Sequence, residues 1–212
     1  MAGDPKWLVW TRELQAIAQS GLAYTPTEYD RERFERLREL ASEMMAAGSD
    51  EPAEKIERLF AAEGGYATPK VDVRGAVFDD QERLLLVRET ADRGRWTLPG
   101  GWADVNQTPA ESVLKEIGEE SGYAARVTKL AAVWDRTRQG HGGGAFSCWK
   151  FFFVCAVTGG EARTSTETSE VRWFREDELP GDEELSTSRV LKRQLRRMYV
   201  HLRAPGMATE ID

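Results

Sequence analysis

The sequence predicts an α/β fold: a mixed sheet sandwiched between helices, preceded by a small all-helical domain. Three observations carry that expectation. Residues 1–65 show helical apolar spacing throughout. From Lys70 the texture changes to alternating and continuous apolar runs of strand length. Two helical segments, over residues 108–121 and 188–203, interrupt those runs, which suits a sheet covered on both faces.

In chain order, Trp7, Trp10, Leu14, Ile17 and Ala18 share one face of a first helix, which Ser20-Gly21 is expected to stop. A second helix carries Phe34, Leu37, Leu40, Ala41, Met44 and Met45 on its apolar side. A third, short helix bears Ile56, Leu59 and Phe60 and closes at Gly64-Gly65. Residues 66–69 read as a linker, which sets a helical domain at 1–65 and a second domain at 66–212. There, strands are expected at 71–77, 84–87, 96–98, 126–134, 146–157 and 170–174. Turns fall at 79–82 and at Gly159-Gly160, and a glycine-rich loop at 139–144.

The chain has 212 residues, 41% hydrophobic and 31% charged, with a net charge of −7. That is ordinary globular composition. The acidity argues against general nucleic-acid binding and requires a metal or local basic patch wherever phosphate is bound. Cys148 and Cys155 stand seven apart in one apolar run, on opposite faces if it is a strand, and read as buried free thiols. No apolar stretch is long enough to span a membrane, and the N-terminus has no signal-peptide core. A cytoplasmic location is the expectation.

The segment GGWADVNQTPAESVLKEIGEESGY, residues 100–123, carries the chemistry. Thr108 is an N-cap, Pro109 takes the first helical position, Glu111 completes a capping box, and Gly122 ends the helix. Glu116, Glu119 and Glu120 stand at i, i+3 and i+4, so their carboxylates share a face. Such a cluster is a solvated acidic surface or a site for a hard cation, Mg²⁺ or Mn²⁺.

This segment resembles the Nudix box, G-x5-E-x7-R-E-U-x-E-E-x-G-U with U apolar. Gly101, Glu116, Ile117, Glu119, Glu120, Gly122 and Tyr123 match it. Gln107 and Lys115 depart, standing where the box has Glu and Arg, and Glu111 is expected to pair with Lys115. The runs at 72–78, 84–89, 96–101 and 170–180 are similar to the family's opening and closing strands. The N-terminal stretch is similar to the helical domain of the branch that includes CDP-choline pyrophosphatases and enzymes labelled ADP-ribose pyrophosphatases. The resemblance implies a metal-dependent pyrophosphohydrolase cleaving a nucleoside diphosphate derivative. Metal would be held by Glu116, Glu119, Glu120 and the Gly100 carbonyl. Water would be the nucleophile, and its proton acceptor a box glutamate (Glu116 or Glu119) or Glu167 in the loop before the last strand.

Substrate contacts are expected from Arg74, Trp102, Asp135, Arg136, His141 and Lys150. Arg74 and Lys150 are charges interrupting apolar strands, and each reads equally as a paired structural ion. Asp135, Arg136 and His141 border the glycine-rich loop, with His141 expected on a mobile turn. Trp96, Trp102 and Trp134 are candidates for base stacking or for core packing. Between substrates the choice leans to CDP-choline over ADP-ribose, with Trp102, Trp134, Asp104 and Asp135 as a lining for the choline cation. A nucleotide-sensing regulator is the competing class. It expects a basic added domain, whereas residues 1–65 hold eight Lys and Arg against thirteen Asp and Glu. The basic last helix suggests RNA contact or internal ion pairs, and the Trp-bearing first helix suggests a homodimer.

Overall fold

The computed structural model describes residues 4–212. The chain forms two compact units. One comprises residues 1–70 together with 143–147, and the other 71–142 and 148–212. The domain boundary expected at 65/66 therefore lies a few residues early, and the five-residue return was not foreseen.

The first unit holds α1 (Lys6–Tyr24), α2 (Glu28–Ala47) and α3 (Ala53–Ala61). Its core is Leu8, Ala41, Met45, Ile56 and Phe60, with Trp7, Leu14 and Phe146 packed against it. Phe146 meets Phe60 edge-on at 5.9 Å, and Arg12 Nε donates to the Gly144 carbonyl at 2.7 Å. These contacts are why 143–147 belongs to this unit.

Two expectations for α1 are corrected. Gly21 does not stop the helix: it lies against the Phe34 ring with no room for a side chain, and the helix runs on to Tyr24. Nor do all the bulky residues face inward. Leu8, Thr11, Gln15, Ala18 and Gln19 are buried, while Trp10 is 54% exposed and Ile17 is also exposed. Small and amide side chains let α1 approach its neighbours closely, which turns the larger residues outward. On α2, Leu40 is likewise exposed.

The second unit is a seven-stranded mixed sheet in the order β3-β2-β1-β5-β4-β7, with β6 also on β2. Its strands are β1 (Lys70–Phe78), β2 (Leu84–Glu89), β3 (Arg95–Thr97), β4 (Tyr123–Asp135), β5 (Cys148–Gly160), β6 (Thr168–Phe174) and β7 (Glu210–Ile211). The strands alternate their side chains between two cores. Ala76, Phe78, Leu84, Leu86, Phe152 and Val154 pack with Leu195, Met198 and Tyr199 of α5 (Lys192–Arg203). Val73, Val77, Leu85, Phe153 and Cys155 pack with Val113 and Ile117 of α4 (Pro109–Ser121). The two helices thus cover opposite faces.

The last helix begins at Lys192 rather than 188, and Gly159-Gly160 continue β5, pairing with Ala124 and Tyr123, rather than turning. Both cysteines are free and buried, and burial raises their thiols to about 11 for Cys148 and about 12 for Cys155. Among the described residues, no helix is long and apolar enough to cross a membrane.

Candidate active site

The ends of α4 are built as its sequence demands. Thr108 Oγ1 accepts from the Glu111 N–H at 3.2 Å, and the Glu111 carboxylate accepts from the Thr108 N–H at 2.8 Å. Gly122 closes the helix at φ 77°. Because Glu111 serves the cap, it does not pair with Lys115. Lys115 donates instead to Asp104 at 2.7 Å and lies 3.7 Å from Glu119. Gln107 accepts from Ser112 Oγ at 3.1 Å, a neutral brace where the box has a carboxylate.

The loop before α4 is forced close to β1. Gly100 has φ 144°, and a side chain there would stand 2.0 Å from the Val73 carbonyl oxygen, so only glycine fits. Its N–H donates to Glu120 Oε2 at 2.9 Å. Gly101 leaves room for the Glu116 carboxylate, which a Cβ would meet at 3.0 Å. Thr168 Oγ1 donates to the Glu120 carbonyl at 2.7 Å, tying β6 to the end of α4.

These elements enclose a cavity of about 690 Å³ in the second unit. Glu116, Glu119, Glu120 and Glu89 line it with Gly100, Trp102 and Glu167, and so do Arg74, Lys150, Arg136 and Arg189. Burial raises the carboxyl of Glu120 to about 7, and Glu116 and Glu89 push the same way. Its bond from Gly100 and the charge of Arg74 oppose the rise without cancelling it. Burial also raises Glu116, against Lys115 and Arg74 and with help from Glu119 and Glu167. This wall is therefore short of positive charge. An all-oxygen donor set of that kind suits a hard divalent cation. Among the described residues, however, no three acidic, His or Cys side chains converge closely enough to ligate an ion. Glu120 accepts from the Gly100 N–H, Glu119 lies 3.7 Å from Lys115, and the Glu116 carboxylate lies over Gly101.

On the floor, Arg74 and Lys150 are both paired with Asp72. The two residues are buried ion-pair members, not rim residues, and both line the cavity. Arg136 lines it as well, with a buried Nε that has no hydrogen-bond partner.

Two expected contacts are not brought to the cavity. Asp135 caps the turn that follows β4, accepting from the Thr137 and Arg138 N–H groups at 2.9 and 3.0 Å. His141 is neither mobile nor exposed. Its ring is buried, with Nδ1 2.9 Å from the Thr187 carbonyl and Nε2 3.0 Å from Gln194 Nε2. Burial, aided by Lys150, lowers its pKa to about 4. Trp96 and Trp134 are core residues, and only Trp102, 58% exposed, faces the cavity.

Asp72, Glu89, Ser165, Thr166, Ser188 and Arg189 also line the cavity and were not among the residues expected there. Asp72 and Glu89 are acidic residues at buried strand positions, a signal that stood in plain view within the runs 71–78 and 84–89. Arg189, expected on the basic face of the last helix, precedes that helix and lies 3.4 Å from Glu89.

The basic side chains of α5 are largely engaged within the chain. Arg193 binds Gln139, Arg197 and His201 bind Glu210, and Arg203 binds Glu82 and Glu176.

Comparison with known proteins agrees with this geometry. Residues 68–194 match the NUDIX domain, and residues 5–60 match a family described as UDP-X-like, N-terminal oligomerisation domain. The Bacillus subtilis protein YjhB, provisionally named an ADP-ribose pyrophosphatase, is 44% identical over 98% of this chain and 97% of its own length. A crystal structure of a UDP-X diphosphatase is similar over 100% of both chains, at 33% identity and a TM-score of 0.61. An ADP-ribose pyrophosphatase from Streptococcus suis covers 68% of this chain and 100% of its own, at 32% identity and a TM-score of 0.60. The protein belongs to the Nudix hydrolase family and is a pyrophosphohydrolase carrying the family's N-terminal helical domain.

Proposed function

We propose that the substrate is a nucleoside diphosphate linked to a second, hydroxyl-bearing moiety, of which ADP-ribose is the leading example. The observation that carries this reading is the polar lining of the cavity. Of the four residues offered as a choline lining, Trp134 is in the core, Asp135 caps a turn, and Asp104 is tied to Lys115. Trp102 and Asp104 line the cavity, and Asp104 is already paired with a cation. Ser165, Thr166, Ser188 and Arg189 supply the hydrogen-bonding groups that a terminal sugar requires. Relatives named as ADP-ribose pyrophosphatases support the same choice. CDP-choline is the second reading, supported by the exposed face of Trp102.

In this reading Glu116, Glu119, Glu120 and the Gly100 carbonyl hold Mg²⁺ or Mn²⁺, which supplies charge neutralisation and polarisation of the phosphorus. Arg74, Lys150 and Arg136 bind phosphoryl oxygens. Glu167 accepts the proton of the attacking water. Its backbone is anchored by bonds to Thr90 and Ser165, and its exposed side chain lines the cavity. The decisive measurement is kcat/KM for ADP-ribose and CDP-choline at one metal concentration. A preference for ADP-ribose of about tenfold or more, roughly 1.4 kcal/mol, is expected. The reverse preference would reinstate CDP-choline.

We further propose a homodimer formed through the helical unit, supported by exposed Val9, Trp10 and Ile17 on α1 and by the family match of residues 5–60. The double variant W10E/I17E should be monomeric by light scattering where the wild type is dimeric. An unchanged mass would remove this face from the interface.

A further inference from the structure

The floor of the cavity holds three buried charges in one hydrogen-bonded group. Asp72 and Arg74 are two residues apart on β1, hence on one face, and Lys150 is on the neighbouring strand β5. All three are at most 5% exposed. Asp72 Oδ1 accepts from both Arg74 Nε, at 2.9 Å, and Lys150 Nζ, at 2.7 Å, while Oδ2 accepts from Arg74 Nη2 at 2.6 Å. Arg74 Nη1 is steadied by the Leu98 carbonyl at 3.3 Å. Both oxygens of Asp72 are thereby occupied by the chain itself. The cations are not exhausted, because an ammonium has three donors and a guanidinium five.

Two cations meeting at one oxygen repel each other, and burial opposes the charge on each. The carboxylate between them is what keeps both charged and adjacent. Burial by itself would raise the Asp72 carboxyl, yet Arg74 and Lys150 hold it at about 2. Burial depresses Lys150 to about 8, against the pull of Asp72. The charged and titratable groups around Lys150 are Asp72 and Arg74 from β1, Cys148 from its own strand, and His141. Three charges of this kind leave a net +1 beside the acidic wall.

We propose that Asp72 is a positioning residue of the hydrolysis, holding Arg74 and Lys150 side by side as a single two-cation clamp for the substrate diphosphate. Asp72 does not touch the substrate and acts through the two cations. The inference rests on the diphosphate lying in this cavity and not on the identity of the group beyond it, since the clamp meets phosphoryl oxygens common to all such substrates.

The test uses the full chain with saturating Mg²⁺ and both ADP-ribose and CDP-choline. D72N should raise KM for the two substrates alike, by about tenfold or more, and lower kcat less. It should also move the alkaline fall of kcat/KM to lower pH, because Lys150 loses its carboxylate. In D72N/K150R, whose second cation does not titrate in that range, this shift should vanish. An unchanged KM and pH profile in D72N would overturn the proposal. So would a loss of activity that only tracks the folded fraction measured by circular dichroism. Should D72N fail to fold, K150M carries the test: it must raise KM more than it lowers kcat, and a wild-type KM would overturn the clamp. A changed ratio between the two substrates bears on the second moiety, whereas an equal effect on both bears on Asp72.

Discussion

The wall and the floor of one cavity treat buried charge in opposite ways. On the floor, Asp72 lies between Arg74 and Lys150, and every oxygen of the carboxylate is engaged. There the carboxylate is satisfied within the chain while its two cations keep donors to spare. On the wall, Glu120 stands near Glu116 and Glu89 with too little positive charge, and burial lifts its carboxyl to about 7. The Glu120 carboxylate accepts from the neutral Gly100 N–H, and an acidic lining of this kind suits a divalent cation.

The largest expected effect breaks the wall. E120Q should lower kcat by about 10²-fold or more, in line with loss of an electrostatic catalyst. In thermal melts, Mg²⁺ at about 100 times its Kd should stabilise the wild type by about 2.7 kcal/mol, and E120Q by much less. E167Q should also lose turnover yet keep the Mg²⁺-dependent rise in melting temperature. If E120Q keeps both properties, the wall is not the cation site.

A second test concerns His141, whose pKa burial lowers, with Lys150 and Arg136 acting in the same direction. Its folded pKa of about 4 lies below the unfolded value of about 6.5. The unfolded chain therefore binds more protons between those values, and stability falls as pH drops through that window. The contribution lost from pH 7 to pH 5 is about 2 kcal/mol. Glu120, raised in the fold, titrates in the opposite sense over part of the same range, so the readout is the difference between wild type and H141Q in urea unfolding at the two pH values. Parallel curves would show that His141 is not held neutral.

The smallest effect sharpens the wall's scaffold. T108A removes the N-cap of α4 and should cost about 1 kcal/mol, a fall of about 2–4 °C in melting temperature. Turnover at 25 °C should change little, because the cap lies at the far end of the helix from Glu119 and Glu120. A large loss of turnover with an unchanged melting temperature would mean that the cap positions the glutamates.

Much of this was legible in the residues because it is local. The caps of α4, the shared face of Glu116, Glu119 and Glu120, and the alternation that assigns Val77 and Phe78 to different cores all depend on spacing along a few residues. What was not legible depends on partners distant in sequence. Arg74 and Lys150 read as isolated anomalies because their common carboxylate is reached only when β1 and β5 lie together. His141 read as a mobile loop residue because Thr187 and Gln194 arrive from the other end of the chain. For α1, periodicity identifies an apolar stripe without saying which flank of it packs inward, and the structure leaves Trp10 and Ile17 exposed.

Residues 143–147 return from the catalytic unit to complete the helical one. The helical unit is therefore not a removable prefix. Cutting the chain after residue 65 would strip Phe146 of its partner Phe60 and the Gly144 carbonyl of Arg12, exposing apolar surface. Grafting these helices onto another hydrolase would likewise require transplanting the loop. The two units form one inheritance: what alters the segment between β4 and β5 alters both at once.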